Sequence, residues 1–108
     1  MHLSKEKSSK IELFEFQNWD VYKKSIQWTY EVQNLIRQKR LSRNLADQIL
    51  RASTSIPLNI SEGSSRFTKR DKTNFLRIAR GSVFECVAIL DVLKIQNHIT
   101  NEELEKFT

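Results

Sequence analysis

The chain has 108 residues, a net charge of +5, two glycines, one proline and one cysteine. That length is one small domain burying only about two-thirds of its unfolded surface, so it gains from self-association; the scarcity of glycine and proline excludes a turn-rich β sandwich and leaves long helices joined by short loops. The single cysteine, Cys86, excludes an internal disulfide, no N-terminal apolar run resembles a signal peptide, and no stretch approaches a membrane span, so the expectation is a soluble, cytoplasmic protein whose excess positive charge favours an anionic partner.

Residues 1–12 are polar and lysine-rich and are expected to form a flexible tail, with one helical domain over 13–108. The first helix is expected from about Phe16 to Gln38. At 100° per residue, Trp19, Tyr22, Ile26 and Tyr30 make one apolar stripe, and Val21, Trp28, Val32 and Leu35 make a second. One stripe can face the core. The second, Val21, Trp28, Val32 and Leu35, is expected to be covered by a neighbouring subunit.

Ser42 has the chemistry of an N-cap for a second helix, whose core stripe is Leu45, Ile49, Ala52, Ile56 and Ile60, with Gly63 as a left-handed C-terminal cap. Pro57 falls inside this helix. It removes one backbone N–H and leaves the Ser53 carbonyl without its usual donor. Ser53, Thr54 and Ser55 before it, and Asn59, Ser61 and Glu62 after it, can bond freed backbone groups or a facing helix where the helix bends. Thr68 and Asp71 form a capping-box pattern for a third helix over about Lys69–Gln96, with Phe75, Ala79, Ser82, Val83, Cys86, Leu90 and Leu93 on its main stripe. Short connections make neighbours antiparallel, which places Arg51 near Glu85 and gives an expected ion pair between the second and third helices. Thr100 and Glu103 start a fourth helix, short or truncated. The fold class is therefore all-α, an antiparallel up-down four-helix bundle.

The charge is segregated. Between residues 37 and 80 stand eleven basic residues against Asp47, Glu62 and Asp71, and the rest of the chain is slightly acidic. Arg66, Lys69, Arg70 and Lys72 gather where a loop meets a helix start, with Arg77 and Arg80 further along. Clustered Lys and Arg beside free backbone donors suit phosphate, and these six are the candidate nucleic-acid-binding residues. A solvated helix surface is the plainer account of the same charges. Catalysis has little support. His2 lies in the tail, His98 near a helix end suits the helix dipole, and Cys86 falls on the core stripe as a small hydrophobe. No spacing suits a metal, there is no glycine-rich phosphate loop, and no cofactor is expected.

Three blocks, "FQNWDVYKKS" at 16–25, "RASTSIPLNISEGSSR" at 51–66 and "NFLRIARGSVFE" at 74–85, together resemble the four helix bundle protein family. These are proteins encoded by intervening sequences within bacterial 23S rRNA genes, together with their stand-alone relatives. Ser55, Pro57, Asn59, Glu62, Gly63 and Glu85 match its structural motif. The resemblance implies a ring-shaped homopentamer with no established enzymatic activity. A distant branch of the fold, the accessory proteins of diversity-generating retroelements, binds nucleic acid. The expected function is a non-enzymatic homo-oligomer binding structured RNA or another nucleic acid through a basic surface. The alternative is a structural or protein-interaction oligomer whose charge serves only solubility. Neither involves a membrane or a small-molecule substrate.

Overall fold

A computed structural model describes residues 14–107, which fold into helices without a strand among the described residues. The tail expected over 1–12 lies outside the described residues. A 3₁₀ turn, Glu15–Asn18, opens the chain, with the Gln17 side-chain oxygen accepting from the Phe14 N–H at 2.9 Å. Trp19 is then extended, and α1 runs Asp20–Arg37. The first helix thus starts four residues later than its periodicity indicates. The break lets Phe16 fold back edge-on to Tyr22, ring centroids 4.9 Å apart, and leaves Asp20 in the first turn, where a carboxylate suits the helix dipole.

α2 spans Arg43–Ser64 and α3 spans Lys69–Ile95. Ser42 Oγ accepts from the Leu45 N–H at 3.2 Å and Thr68 Oγ1 from the Asp71 N–H at 3.1 Å, so both helices are N-capped, while the Asp71 carboxylate does not return the bond that a capping box needs. At the far end of α3, Asn97 takes φ 65° and the His98 N–H donates to the Leu93 carbonyl at 2.8 Å, the left-handed stop usually given to glycine. α4 is a short piece, Asn101–Glu105, opened by a complete Thr100–Glu103 capping box. Lys39 bonds Glu103 at 2.9 Å and ties α4 to the α1–α2 turn. The Thr100 backbone and Lys39 together hold the Glu103 carboxyl below its usual range.

Side-chain bonds fix the packing order. Thr29 and Gln33 of α1 reach Ser53 and Thr54 of α2, and Ser55 of α2 meets Ser82 of α3 at 2.8 Å. Ser55 meets Ser82 while Gly63 approaches Lys72 and Phe75, and Thr29 bonds Ser53 while Trp19 shares a cleft with Ser61 and Ser64, so neighbours are antiparallel and α2 lies between α1 and α3. The core is Ile49, Ala52, Ile56 and Ile60 of α2 against Ala79, Cys86, Ile89, Leu90 and Leu93 of α3, closed by Val32, Leu35 and Ile36 of α1 and by Ile99 and Phe107. This is an all-α bundle with a short fourth helix.

Three expectations need correction. Val32 is fully buried and Leu35 nearly so within the subunit, so neither offers surface to a neighbour. Of the stripe assigned to an interface, Val21 is exposed and Trp28 is half-buried, its ring edge-on to Phe107. The two stripes trade places along α1: towards its C-terminal end the second one faces α2, while Ile26 and Tyr30 of the first are exposed. Gly63 is not a left-handed cap, because α2 runs on to Ser64. It is a close-approach residue: a Cβ there would stand 3.2 Å from Phe75 Cβ and 3.3 Å from the Lys72 carbonyl oxygen. Arg51 and Glu85 are both exposed, and among the described residues the ion pairs are Lys39–Glu103 and Arg66–Glu62. By helical rotation Arg51 sits opposite the Ile49–Ile56 row, and the small hydroxyls Ser55 and Ser82 meet between α2 and α3.

Pro57 is buried, and α2 runs on through it. The carbonyl it leaves free, that of Ser53, accepts from Thr29 Oγ1 at 3.0 Å. The compensation comes from α1, not from the polar residues following the proline. Asn59 instead donates back to the Ser55 carbonyl and hydroxyl at 2.8 and 2.9 Å. Gln33 adds donations to Ser53 Oγ and Thr54 Oγ1. The proline motif is thus a polar seam stitching α2 to both neighbours, and no buried side-chain polar atom among the described residues lacks a partner.

Candidate nucleic-acid interface

The α2–α3 junction places the candidate residues. Gly63 lets the first turn of α3 approach the last turn of α2, and the Thr68 cap starts α3 immediately after the loop. Lys69 and Arg70 are exposed in that first turn, and Arg77 and Arg80 are exposed two and three turns on. At 3.6 residues per turn these four fall within about 100° of one another around α3, spread over roughly 16 Å of its length. Among the described residues none of the four is ion-paired.

Arg66 and Lys72 differ from these four. Arg66 bonds Glu62 at 2.6 Å, with its guanidinium 4.6 Å from the centre of the Phe75 ring. Lys72 is half-buried and lines a cleft of about 500 Å³ with Phe14, Glu15, Phe16, Trp19 and the serines 61, 64 and 65. Arg80 lies 4.7 Å over the Phe84 ring. Arg37, Arg40 and Arg43 gather at the other end of α2, a helix of 22 residues and so about 33 Å long. The basic half of the sequence therefore becomes two patches, and the candidate residues belong to one.

Beside this patch runs an apolar groove of about 610 Å³. Ile56 and Ile60 of α2 form its floor. Val21 and Trp28 of α1 and Leu76, Ala79, Val83 and Phe84 of α3 form its walls, with Lys24 and Arg80 among the lining residues. Two of the four expected interface residues, Val21 and Trp28, thus share one apolar surface.

Cys86 is fully buried, and burial first, then the nearby Glu85 charge, pushes its thiol up to about 12, the reverse of an activated nucleophile. Among the described residues no group of His, Cys, Asp and Glu is placed to hold a metal. Among the described residues no helix is long and apolar enough to cross a membrane.

The model of a family described as "23S rRNA-intervening sequence protein" matches residues 17–108. The chain belongs to this family. The match begins within the 3₁₀ turn and spans the proline seam and the basic junction. A solved structure from Bacteroides thetaiotaomicron VPI-5482, a protein of unknown function from the S23 ribosomal protein family, is similar at 32% identity, with a TM-score of 0.74 over 81% of this chain and 83% of that one. No curated protein matches the chain.

Some residues had no sequence signal. Phe67 is 99% exposed in the loop between Arg66 and Thr68. A large apolar residue between a helix end and the next N-cap is a cue that periodicity does not register. Phe14 and Trp19 enter the Lys72 cleft only because the chain breaks at Trp19. Thr29 and Gln33 sit between apolar stripes, where only the position of Ser53 in space gives them a task.

Proposed function

We propose that this intervening-sequence family member is a non-enzymatic, self-assembling cytoplasmic protein that presents the basic face of α3 to nucleic acid, structured RNA above all. One observation carries the reading: Lys69, Arg70, Arg77 and Arg80 share one exposed face and are unneutralised among the described residues. Such a face attracts any polyanion through counterion release and needs no base contacts. The family's name associates it with sequences inside 23S rRNA, a setting in which RNA is the polyanion at hand.

Assembly rests on the groove. A helix from a second copy would cover Val21, Leu76 and Phe84, the exposed walls of that groove. A ring, pentameric by family resemblance, would repeat the basic face and add weak contacts through avidity. A second reading, an oligomer with no nucleic-acid role, draws on the same groove.

Sedimentation and RNA titration separate these readings. The proposal expects an oligomer at micromolar concentration. It expects binding of a long structured RNA that is lost when Lys69→Glu and Arg70→Glu are combined, with helicity and assembly unchanged. An oligomer that binds RNA equally with and without the two reversals, or not at all, would leave only the structural reading. A monodisperse monomer would remove the assembly half.

A further inference from the structure

Two features at the α2–α3 junction are not explained by phosphate attraction. The first is Phe67. A phenylalanine with 99% of its surface in water is unfavourable for solubility and contributes nothing to the core, yet it stands between Arg66 and the exposed pair Lys69 and Arg70. The second is the cleft beside it. Its walls carry three aromatic rings, those of Phe14, Phe16 and Trp19. Ser61, Ser64 and Ser65 line its α2 side, and Glu15 and Lys72 complete the lining. Ser64 and Ser65 donate their protons to the Ser61 and Glu62 carbonyls at 2.6 and 2.7 Å, which leaves the oxygen lone pairs free to accept. Aromatic rings, hydroxyls, one cation and one carboxylate, Glu15, line a cleft of about 500 Å³: the rings suit a base to stack, the hydroxyls and Glu15 accept from its N–H edges, and Lys72 suits a phosphate.

From this we infer that the junction binds an unpaired strand, with one base stacked on Phe67 and an adjacent nucleotide seated in the Phe14–Trp19–Lys72 cleft. A duplex keeps its bases stacked on each other and offers Phe67 nothing. A single strand splays its bases onto aromatic platforms while Lys and Arg follow its phosphates. Residues 64–72 join the two features without a break: cleft serines, Arg66, Phe67, Lys69, Arg70 and Lys72. The inference rests on the nucleic-acid reading and narrows it from any polyanion to unpaired segments such as loops and ends.

The test compares a short oligouridine with a duplex RNA of equal length by fluorescence anisotropy. The wild type should prefer the single strand. Phe67→Ala and Trp19→Ala should each weaken single-strand binding about 5- to 150-fold, the range seen for loss of one base–aromatic stack. Both should leave duplex binding unchanged, and Phe67→Trp should retain the affinity. Lys69→Glu with Arg70→Glu should weaken both substrates. If Phe67→Ala changes neither substrate, or both equally, the stacking site is wrong while the basic-face reading survives. If Phe67→Ala instead disperses the oligomer with binding intact, Phe67 belongs to self-assembly and the inference is overturned. If the wild type binds neither RNA, both readings fall together.

Discussion

At Ser53 the protein solves a problem created four residues away. Its carbonyl, freed by Pro57 and buried in a fully buried residue, is satisfied by Thr29 Oγ1. An unsatisfied buried acceptor costs about 1–3 kcal/mol, so Thr29→Val should destabilise the fold by about that amount. Pro57→Ala should keep the fold, because the new N–H can donate to Ser53 itself. The two changes should therefore couple: in the Pro57→Ala background Thr29→Val should cost at least about 1 kcal/mol less. Chemical denaturation of the four proteins in this cycle checks it, and additive effects would mean that Thr29 does not replace the lost donor. Cys86 gives a second prediction at this scale. An unfolded thiol loses its proton near the ordinary value of 9.0, whereas the folded one keeps it to about 12. Stability should thus fall as pH rises from about 9 towards 12, and native Cys86 should resist a thiol reagent at pH 8 that labels it promptly in denaturant. Rapid labelling of the native protein would contradict its burial.

The two glycines divide the work of the elements. Gly81 is exposed on α3 with nothing within 4 Å of where a Cβ would stand, so Gly81→Ala should stabilise the subunit by about 0.5–1 kcal/mol through helix propensity alone. Gly63→Ala should lose that gain and more. Its Cβ meets Phe75 Cβ and a backbone oxygen at 3.2 and 3.3 Å, neither of which can swing aside, and the α2–α3 junction must open. Opposite shifts in thermal midpoint check the pair; two upward shifts would mean that the junction tolerates a side chain. Helix existence, the Ser42, Thr68 and Thr100 caps and the stripes of α2 and α3 were legible in the sequence, because caps and periodicity are local. The face of α1 was not. Two stripes of similar apolarity compete there, and the choice depends on how α1 crosses α2, which no local pattern encodes. Gly63 was misread for a related reason: a glycine near a helix end suits a cap and a close approach equally, and only Phe75 in space decides.

For the whole molecule, charge that is continuous along residues 37–80 becomes two patches because α2 carries its ends about 33 Å apart. Sequence could count the charges but could not place Phe67 and Trp19 beside one of the patches, since that depends on the break at Trp19 and the approach at Gly63. The central claim is that the α3 face binds nucleic acid chiefly by neutralising phosphates. The salt dependence of RNA affinity tests it most directly. A plot of log affinity against log salt for the wild type should be steep and linear, and Lys69→Ala with Arg70→Ala should lower its slope by about 1 per side chain removed. A flat plot, or a slope that the two substitutions leave unchanged, would contradict it.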